Sequence, residues 1–326
     1  MEFKKRYFGI CRVAFAGLFL GSLIAGSAMA ADAYPTKPIK IYYGYKAGGS
    51  CHTSLQPLAN SLEAILGQPI ILVEKAGASA TIAGGLVSKA KPDGYTLGVI
   101  KSTTITTAPY ELKLPYSPSE DLLHLYAYAG PASGFAVKAD APWNTWKEFI
   151  DYAKSNPGKV AWTATGSTGT QYLLMEHIGK IEGITWNGVP AAGGSEAMKL
   201  VLGGQVSGYA ASGSHVPQIK SGNAKELVDF GVTSSFPGVP TLEELGYKGL
   251  VIKGEPYIIV APKNLPEDTK ATLVDAIVKA TQSEEYLKLV ERLDMQPVNL
   301  QGAELEKMLT EGSILVKMLL ESAGKI

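Results

Sequence analysis

The sequence predicts an α/β protein with two lobes of similar size, joined by two crossing segments. Strand-like and helical patterns alternate in two separate stretches of the chain, which is typical of sheets covered by helices. Two extended segments, Leu123–Val137 and Leu250–Ala261, connect these stretches. The length of 326 residues also favours two domains. Two lobes joined in this way leave a cleft, and the loops that follow the strands are expected to face it.

The amino terminus has the three parts of a secretory signal peptide. Lys4–Arg6 and Arg12 are basic, Val13–Ile24 is apolar, and Ala28-Met29-Ala30 is a small-residue cleavage site. The alternative is a membrane anchor, but the apolar run is short against the roughly 20 residues that a spanning helix needs. We therefore predict cleavage of residues 1–30 and export of a soluble protein, into the periplasm if the source is Gram-negative.

In the first lobe, β-branched and aromatic runs alternate with helical spacing. A helix that ends at Gly67 and a turn at Pro92-Asp93-Gly94 separate these runs, and the order predicts a parallel sheet. The predicted strands are Pro38–Tyr45, Pro69–Val73 and Tyr95–Ile100, and the predicted helices are Thr53–Leu66 and Ala80–Ala90.

The second lobe repeats the alternation, and helices close the chain. Its predicted helices are Trp146–Ser155, Thr170–Ile181, Glu196–Leu202 and Val216–Lys220, and its strands are Val160–Thr163, Thr185–Val189, Val206–Ala210 and Leu227–Val232. The terminal helices Pro266–Ser283, Glu284–Leu293 and Ala303–Glu321 are expected to pack on the first lobe. Residues 31–128 and 256–326 are thus assigned to lobe 1 and residues 129–255 to lobe 2. The hinge is expected near Ala129–Ala132 and Gly254–Tyr257.

Composition excludes several classes of function. Thirty basic residues balance thirty acidic ones, which gives no electrostatic footprint for nucleic acid. Cys51 is the only cysteine after residue 30, and the four histidines are far apart, so neither a disulfide framework nor a metal site is predicted. Neither a P-loop nor a G-x-G-x-x-G motif occurs, and we predict no cofactor.

Arginine is almost absent, and this limits how an anion can be bound. Arg292 is the only arginine after residue 30, in a charged helical pattern. A bidentate guanidinium clamp is therefore not expected. An anion would have to be held by backbone N–H groups, hydroxyls or a lysine such as Lys46 or Lys101, which stand at strand ends.

Four loops between a strand and a helix carry glycine, serine or threonine, two in each lobe. Any one of them can be an ordinary tight turn, but together they predict anion capture from both sides. The short segment after the third strand adds two hydroxyls. The candidate ligand-binding residues are Tyr45, Gly48, Gly49, Ser50, Cys51, His52, Ala78, Ser79, Ala80, Thr81, Ser102, Thr103, Gly166, Ser167, Thr168, Gly169, Thr170, Gly194 and Ser195.

Cys51 and His52 raise an alternative, a secreted thiol hydrolase. Adjacent residues rarely align as nucleophile and base, and no third orienting group is evident. We predict no catalytic residue and no enzymatic activity. A ligand sensor for a membrane histidine kinase would share the fold and the cleft, and the sequence does not separate it from a transport receptor.

Taken together, these motifs resemble those of the extracytoplasmic solute receptors of the tripartite tricarboxylate transporter system, the Bordetella uptake or Bug-type family. The resemblance covers nearly all of residues 34–326, and its most specific stretch is Pro92-Asp93-Gly94-Tyr95-Thr96-Leu97. Other matches, in order, are Tyr34-Pro35-x-Lys37-Pro38-Ile39, Gly48-Gly49, Leu66-Gly67-Gln68-Pro69, Gly77-Ala78, Gly166-Ser167-x-Gly169, Val189-Pro190-x-x-Gly193-Gly194, Leu202-Gly203-Gly204-Gln205-Val206 and Val239-Pro240-Thr241.

The resemblance implies a type II periplasmic-binding-protein fold with an interlobe ligand cleft. It implies a monomeric receptor that captures a small di-, tri- or aromatic carboxylate and delivers it to a membrane permease with a large and a small subunit. The loops 45–53 and 77–81 would grip one carboxylate, and the loops 166–170 and 193–195 would close on it.

This sequence departs from the family at the first loop. Where the family usually has Pro, Phe, a second Pro and Asp, this chain has Gly44, Tyr45, Ala47 and His52. Ala191 also stands where the family usually has an aromatic residue. Ligand identity therefore does not follow from the resemblance. Protonated His52 pairing with an anion is a further hypothesis.

Overall fold

The structure, a computed structural model, describes residues 34–167, 169–252 and 254–326. The predicted signal peptide and the candidate Thr168 lie outside these residues. Within them, two sheets each carry helices, and the predicted α/β class with two lobes is confirmed. No helix in the described ranges is both long and apolar enough to cross a membrane.

The first sheet has six strands in the order β11-β4-β10-β3-β1-β2. Strands β1 and β3 run parallel, as do β1 and β2, whereas β10 and β11 pair antiparallel to their neighbours. The sheet is therefore mixed, while the pattern in residues 38–100 predicted its parallel part. Its strands are β1 (Ile39–Tyr43), β2 (Ile70–Glu74), β3 (Thr96–Lys101), β4 (Leu122–Pro131), β10 (Tyr257–Pro262) and β11 (Met295–Leu300).

Helices cover both faces of this sheet because each face is apolar. One face packs against α1 (Ser50–Leu66), α9 (Glu267–Thr281) and α10 (Glu284–Arg292). The other face packs against α2 (Thr81–Ser88) and the first half of α11 (Gly302–Ser322). Burial of these apolar faces is the main force that holds such layers together.

The second sheet has five strands in the order β7-β6-β8-β5-β9. Strand β6 is parallel to β7 and β8, and β5 is antiparallel to β8 and β9. Its strands are β5 (Ser133–Lys138), β6 (Ala161–Thr165), β7 (Asn187–Ala191), β8 (Gly208–Ser212) and β9 (Ala224–Asp229), and its helices are α5 (Trp146–Ser155), α6 (Thr170–Glu182), α7 (Gly194–Leu202) and α8 (Val216–Lys220).

The two sheets are connected where strands leave one and enter the other. Strand β4 ends at Pro131 in the first sheet and β5 begins at Ser133 in the second, with Ala132 between them. The chain returns to the first sheet through residues 254–256, directly before β10. These two short connections coincide with the segments predicted as the hinge, whose motion stays a prediction.

Helix α11 packs into both cores. Leu305, Met308 and Leu309 lie in the core of the first sheet, with Ile100 and Ile258. Four residues near the other end of α11 lie in the core of the second sheet, namely Leu315, Val316, Leu319 and Leu320. Because α11 packs into both cores, its contacts do not assign it to one lobe. The lobe boundaries given above therefore stay a prediction.

Some elements have no counterpart in the sequence prediction. Two short helices, α3 (Ser102–Thr106) and α4 (Ala108–Glu111), follow β3, and strand β11 lies between α10 and α11. The helices α3 and α4 are too short to show a helical period. Strand β11 contains Pro297 and pairs only with β4, at the edge of its sheet, where proline is tolerated.

Candidate functional site

A cleft of about 500 Å³ lies between the two sheets and is lined by residues from both. Its position fits the rule that ligands bind beyond the carboxyl ends of parallel strands. Lys101 ends β3, Thr165 ends β6 and Ser212 ends β8, and all three line the cleft. In the part of the chain that the structure describes, nine hydroxyl-bearing side chains line it: Ser79, Thr103, Thr107, Thr165, Thr170, Ser195, Tyr209, Ser212 and Ser214.

Besides Lys101, the cleft brings together seven of the described candidate ligand-binding residues. They come from both lobes and are Ser79, Thr103, Gly166, Gly169, Thr170, Gly194 and Ser195. The described candidates that do not line it are Tyr45, Gly48, Gly49, Ser50, Cys51, His52, Ala78, Ala80, Thr81, Ser102 and Ser167. A role for these residues in ligand binding stays a prediction.

Ser79 reaches the cleft on an unusual backbone. Ala78, Ser79 and Ala80 have φ values of 45°, 54° and 67°, all in the left-handed region. Each non-glycine residue in this region costs roughly 1–2 kcal/mol. The Thr104 hydroxyl donates to the Ser79 carbonyl at 2.8 Å, and the Thr81 hydroxyl donates to the Ala78 carbonyl at 2.7 Å. Strain of this kind tends to cluster at functional sites.

Two helices of the second lobe begin at the cleft. Helix α6 begins at Thr170 after Gly169, and α7 begins at Gly194. Close packing requires both glycines. A Cβ on Gly169 would lie 2.7 Å from the Thr165 carbonyl oxygen, and one on Gly194 would lie 2.9 Å from the Ser214 Cβ. The first N–H groups of a helix have no partner within it, so they are free to donate.

A charged network forms the floor of the cleft. The carboxylate of Glu255 accepts hydrogen bonds from the Lys101 ammonium at 3.4 Å, the Gln171 amide at 3.1 Å and the Ser212 hydroxyl at 3.2 Å. The Lys101 and Glu255 side chains are 21% and 12% exposed. The network therefore joins β3 of the first sheet, α6 and β8 of the second lobe, and the returning connection.

The network keeps Lys101 charged. Burial lowers the pKa of Lys101, but the Glu255 carboxylate, together with Tyr257, outweighs burial, and the pKa of the ammonium is raised overall. Among the lining residues within the described ranges, Lys101 is the only cation, and Glu111 and Glu255 are the only acids. Arg292 ends α10 and is not among them.

Tyr45 contacts Lys101 at the floor of the cleft but does not itself line the cleft. Its hydroxyl accepts a hydrogen bond from the Lys101 backbone N–H at 3.2 Å, and its ring packs edge-on against Tyr257 with centroids 5.6 Å apart. The Tyr257 hydroxyl lies 2.8 Å from the Ser50 hydroxyl. Burial raises the pKa of the Tyr45 phenol, so it stays neutral. Tyr45 thus contacts the lining residue Lys101, whereas Ser50 contacts Tyr257, which does not line the cleft.

Cys51 and His52 do not form a catalytic pair. Cys51 is 1% exposed, and burial raises the pKa of its thiol to about 12, although the neighbouring Tyr128 hydroxyl and Lys101 ammonium work in the opposite direction. His52 Nδ1 instead accepts from the Gly48 N–H at 3.4 Å, and its ring packs on Tyr43. A thiol in this state is a poor nucleophile.

Several lining residues were not singled out from the sequence. Thr107, Ala108 and Glu111 belong to or flank the two unpredicted short helices. Ser212 ends β8, and Ser214 follows it after Gly213. The rule that ligands bind beyond the carboxyl ends of strands could therefore have identified both residues from the sequence. The others, Thr165, Gln171, Tyr209 and Glu255, have no local signal, because polar residues within a strand, helix or connection are usual.

Comparison with known proteins identifies related chains. Residues 55–324 match the profile of the family described as "Tripartite tricarboxylate transporter family receptor". The chain is 32% identical to "UPF0065 protein in gbd 5'region" of Cupriavidus necator, over 98% of both chains. It is 28% identical to "Protein BugT" of Bordetella pertussis, over 88% of this chain and 89% of the relative.

Solved structures share the fold. A TctC solute-binding protein from Polaromonas, without ligand, has a TM-score of 0.80 at 25% identity and covers 89% of this chain and 99% of its own. MatC from Rhodopseudomonas palustris, with bound malate, has a TM-score of 0.66 at 23% identity, covering 88% and 100%. R. palustris Rpa4515, with adipate, has a TM-score of 0.69 at 18% identity, covering 89% and 98%.

Proposed function

The chain belongs to the tripartite tricarboxylate transporter receptor family, and we propose that it captures a small organic carboxylate between its two lobes in the periplasm. The family resemblance predicted from the sequence is thereby confirmed. One observation carries the proposed ligand class: nine hydroxyls of described residues and the beginnings of two helices line one interlobe cleft. Such donors bind carboxylates without arginine.

Each lobe has its own part in this capture. Ser79 and Thr103 present hydroxyls from the first lobe. Thr170 and Ser195 present hydroxyls and backbone N–H groups from the second, at the beginnings of α6 and α7. Lys101 supplies the positive charge at the floor, since Glu255 keeps it protonated. Hydrogen bonds to a charged acceptor are stronger than those between neutral groups.

Ligand binding is proposed to close the cleft. Because only a closed arrangement lets both lobes touch one small molecule, the ligand stabilises that arrangement. The hinge would be Ala129–Ala132 and Gly254–Tyr257, where the chain passes between the sheets. Closure removes water and strengthens each hydrogen bond to the carboxylate.

The proposal includes delivery of the intact ligand to a membrane permease with a large and a small subunit, by a monomeric receptor. Binding without chemical change is supported by the state of Cys51, whose buried, protonated thiol is unsuited to attack. The malate and adipate seen in two neighbours of the same fold support a carboxylate ligand.

A thermal-shift screen over organic acids tests ligand binding. A ligand that binds only the folded state raises the melting temperature, by an amount that grows with concentration. Ser195→Trp, which fills the cleft, is expected to abolish the shift of any hit. Ser155→Trp is the matched control, because Ser155 is an exposed residue at the end of α5. A shift that survives in Ser195→Trp would contradict the site, and a screen without any shift would contradict the ligand class.

Uptake in the source organism tests delivery. Deletion of the gene is expected to abolish uptake of the radiolabelled hit, and the wild-type chain but not Ser195→Trp is expected to restore it. Uptake that is unchanged by the deletion would contradict the transport role. A transcriptional response that is lost instead would favour the sensor alternative.

A further inference from the structure

The floor of the cleft carries a negative charge, on Glu255, next to Lys101, the only cation among the described residues that line it. Glu255 is joined by three donors from both lobes, at 3.1–3.4 Å, and is 12% exposed. A carboxylate has about four acceptor positions, so one position on Glu255 is left for a donor from a ligand. Among the described residues the Lys101 ammonium donates a hydrogen bond only to Glu255, and it also lies 5.7 Å from the centroid of the Tyr257 ring, so N–H groups remain that can donate to a ligand.

Charge balance in the cleft therefore limits the charge of the ligand. Lys101 and Glu255 neutralise each other, and Glu111 adds a second acid to the lining. One carboxylate on the ligand can be held by hydroxyls, backbone N–H groups and the free donors of Lys101. A second carboxylate would enter a site whose described lining residues have an excess of negative charge and no unpaired cation. Like charges brought together at a binding surface cost affinity.

We propose that this cleft selects singly charged carboxylates whose other end donates hydrogen bonds, such as an amide or hydroxyl, over dicarboxylates and tricarboxylates. The inference rests on the proposed function, because it names the substrate class of the same site. The donor end meets the remaining acceptor position of Glu255. The carboxylate end is held by the hydroxyls of both lobes. If Glu255 only held the two lobes together and did not contact the ligand, the site would not prefer singly charged carboxylates to dicarboxylates.

Ligand pairs that differ at one end alone test this inference in the wild-type protein. The pairs are succinate and succinamate, glutarate and glutaramate, and adipate and adipamate. Each amide has the same skeleton as its partner acid, with one carboxylate replaced by a neutral donor group. At pH 7.5 all carboxyl groups are ionised. Titration calorimetry is expected to show that the amide binds more tightly than the acid in the best-fitting pair, by on the order of tenfold.

Glu255→Gln tests whether this residue is the cause. The substitution removes the negative charge and keeps the shape, so the preference for the amide is expected to disappear or reverse. Glu120→Gln is the matched control, because Glu120 is exposed and does not line the cleft; it is expected to keep the wild-type preference. Circular dichroism checks that each variant is folded. The comparison of ligand pairs in the wild-type protein does not depend on any variant.

Each outcome decides between the two proposals. Equal or tighter binding of the diacids by the wild-type protein would overturn the inference and leave the receptor function standing. A preference that persists unchanged in Glu255→Gln would overturn the role of Glu255. If no member of any pair binds, the proposed carboxylate function fails, and this inference fails with it.

Discussion

A side chain on Gly44 would collide with Ala80. A Cβ built on Gly44 would lie 2.6 Å from the Cα of Ala80 and closer still to its Cβ. Gly44 directly follows β1, and Ala80 closes the left-handed turn that presents Ser79 to the cleft. The glycine stands where the family usually has a proline, which also carries a Cβ. The contact thus gives a physical reason for this departure.

Gly44→Ala is expected to destabilise the fold by about 1–3 kcal/mol, the range for overpacking a tight site. Ala80→Gly removes the colliding atom, so the double variant is expected to recover part of this loss. Urea denaturation of the single and double variants measures the coupling free energy. Gly193→Ala is the control, since a Cβ there would meet nothing within 4 Å and its φ of −172° suits any residue. Additive effects in the double variant would refute the collision.

Ala78→Gly is expected to stabilise the protein by about 1 kcal/mol, because glycine carries no penalty at a φ of 45°. The same substitution in a helix has the opposite sign. Ala271 is exposed within α9, and Ala271→Gly is expected to cost about 1 kcal/mol. Denaturant midpoints of the two variants make the comparison. If both variants lose stability, the left-handed turn is not a source of strain.

Cys51 is expected to resist thiol reagents in the folded protein. Because burial raises the pKa of its thiol to about 12, little thiolate forms near neutral pH. Reaction with 5,5′-dithiobis(2-nitrobenzoate) is expected to be at least about a hundredfold slower in native than in urea-unfolded protein. Ser195→Cys, which places a thiol in the open cleft, provides the fast-reacting control. Rapid labelling of native wild-type protein would revive the thiol-hydrolase alternative.

His215 and Glu226 form a buried pair in the second lobe. Their side chains have no exposed surface, and Nε2 and Oε2 lie 2.9 Å apart, although their orientation does not make a hydrogen bond. Burial lowers the pKa of His215 to about 4. Burial, with a contribution from Asp229, raises the pKa of Glu226 well above its ordinary value. Both side chains are therefore neutral in the fold near neutral pH.

This pair is expected to make stability fall as the pH rises above 6.5. Between pH 4.5 and 6.5, the folded pair holds one proton on Glu226 and the unfolded pair holds one on His215. Above pH 6.5 the unfolded pair loses its proton while the folded pair keeps it. The free energy of unfolding then falls by up to about 1.4 kcal/mol per pH unit. Urea denaturation at pH 5.5, 6.5 and 7.5 measures this slope.

Glu226→Gln separates the two groups. Without the acid, the loss above pH 6.5 is expected to disappear, and a loss below pH 6.5 is expected because the unfolded His215 binds a proton that the buried one excludes. Glu196→Gln, at an exposed residue of α7, is the control and is expected to keep the wild-type profile. Identical profiles for wild type and Glu226→Gln would show that the pair is not neutral in the fold.

Local patterns predicted most elements but not all of them. The helical spacing of Leu55, Leu58 and Leu62 and the end at Gly67 predicted α1, although the helix begins at Ser50 rather than Thr53. The carboxyl end of α1 follows from a local residue, Gly67, which caps the helix in the left-handed conformation. The first turn of α1 instead depends on tertiary contacts such as that between Ser50 and Tyr257. The antiparallel placement of β10 is likewise invisible in a run of apolar residues.

The sequence by itself determined which residue types are available to the cleft. It showed glycines and hydroxyls after the strands and a single arginine after residue 30. Only the tertiary structure decided that Lys101 pairs with Glu255, which lies 154 positions away in the chain. It also decided that Gln171 and Ser212 donate hydrogen bonds to the same carboxylate. The reason is physical: periodicity is a short-range property of a chain, whereas charge pairing depends on distances that the packing of two lobes sets.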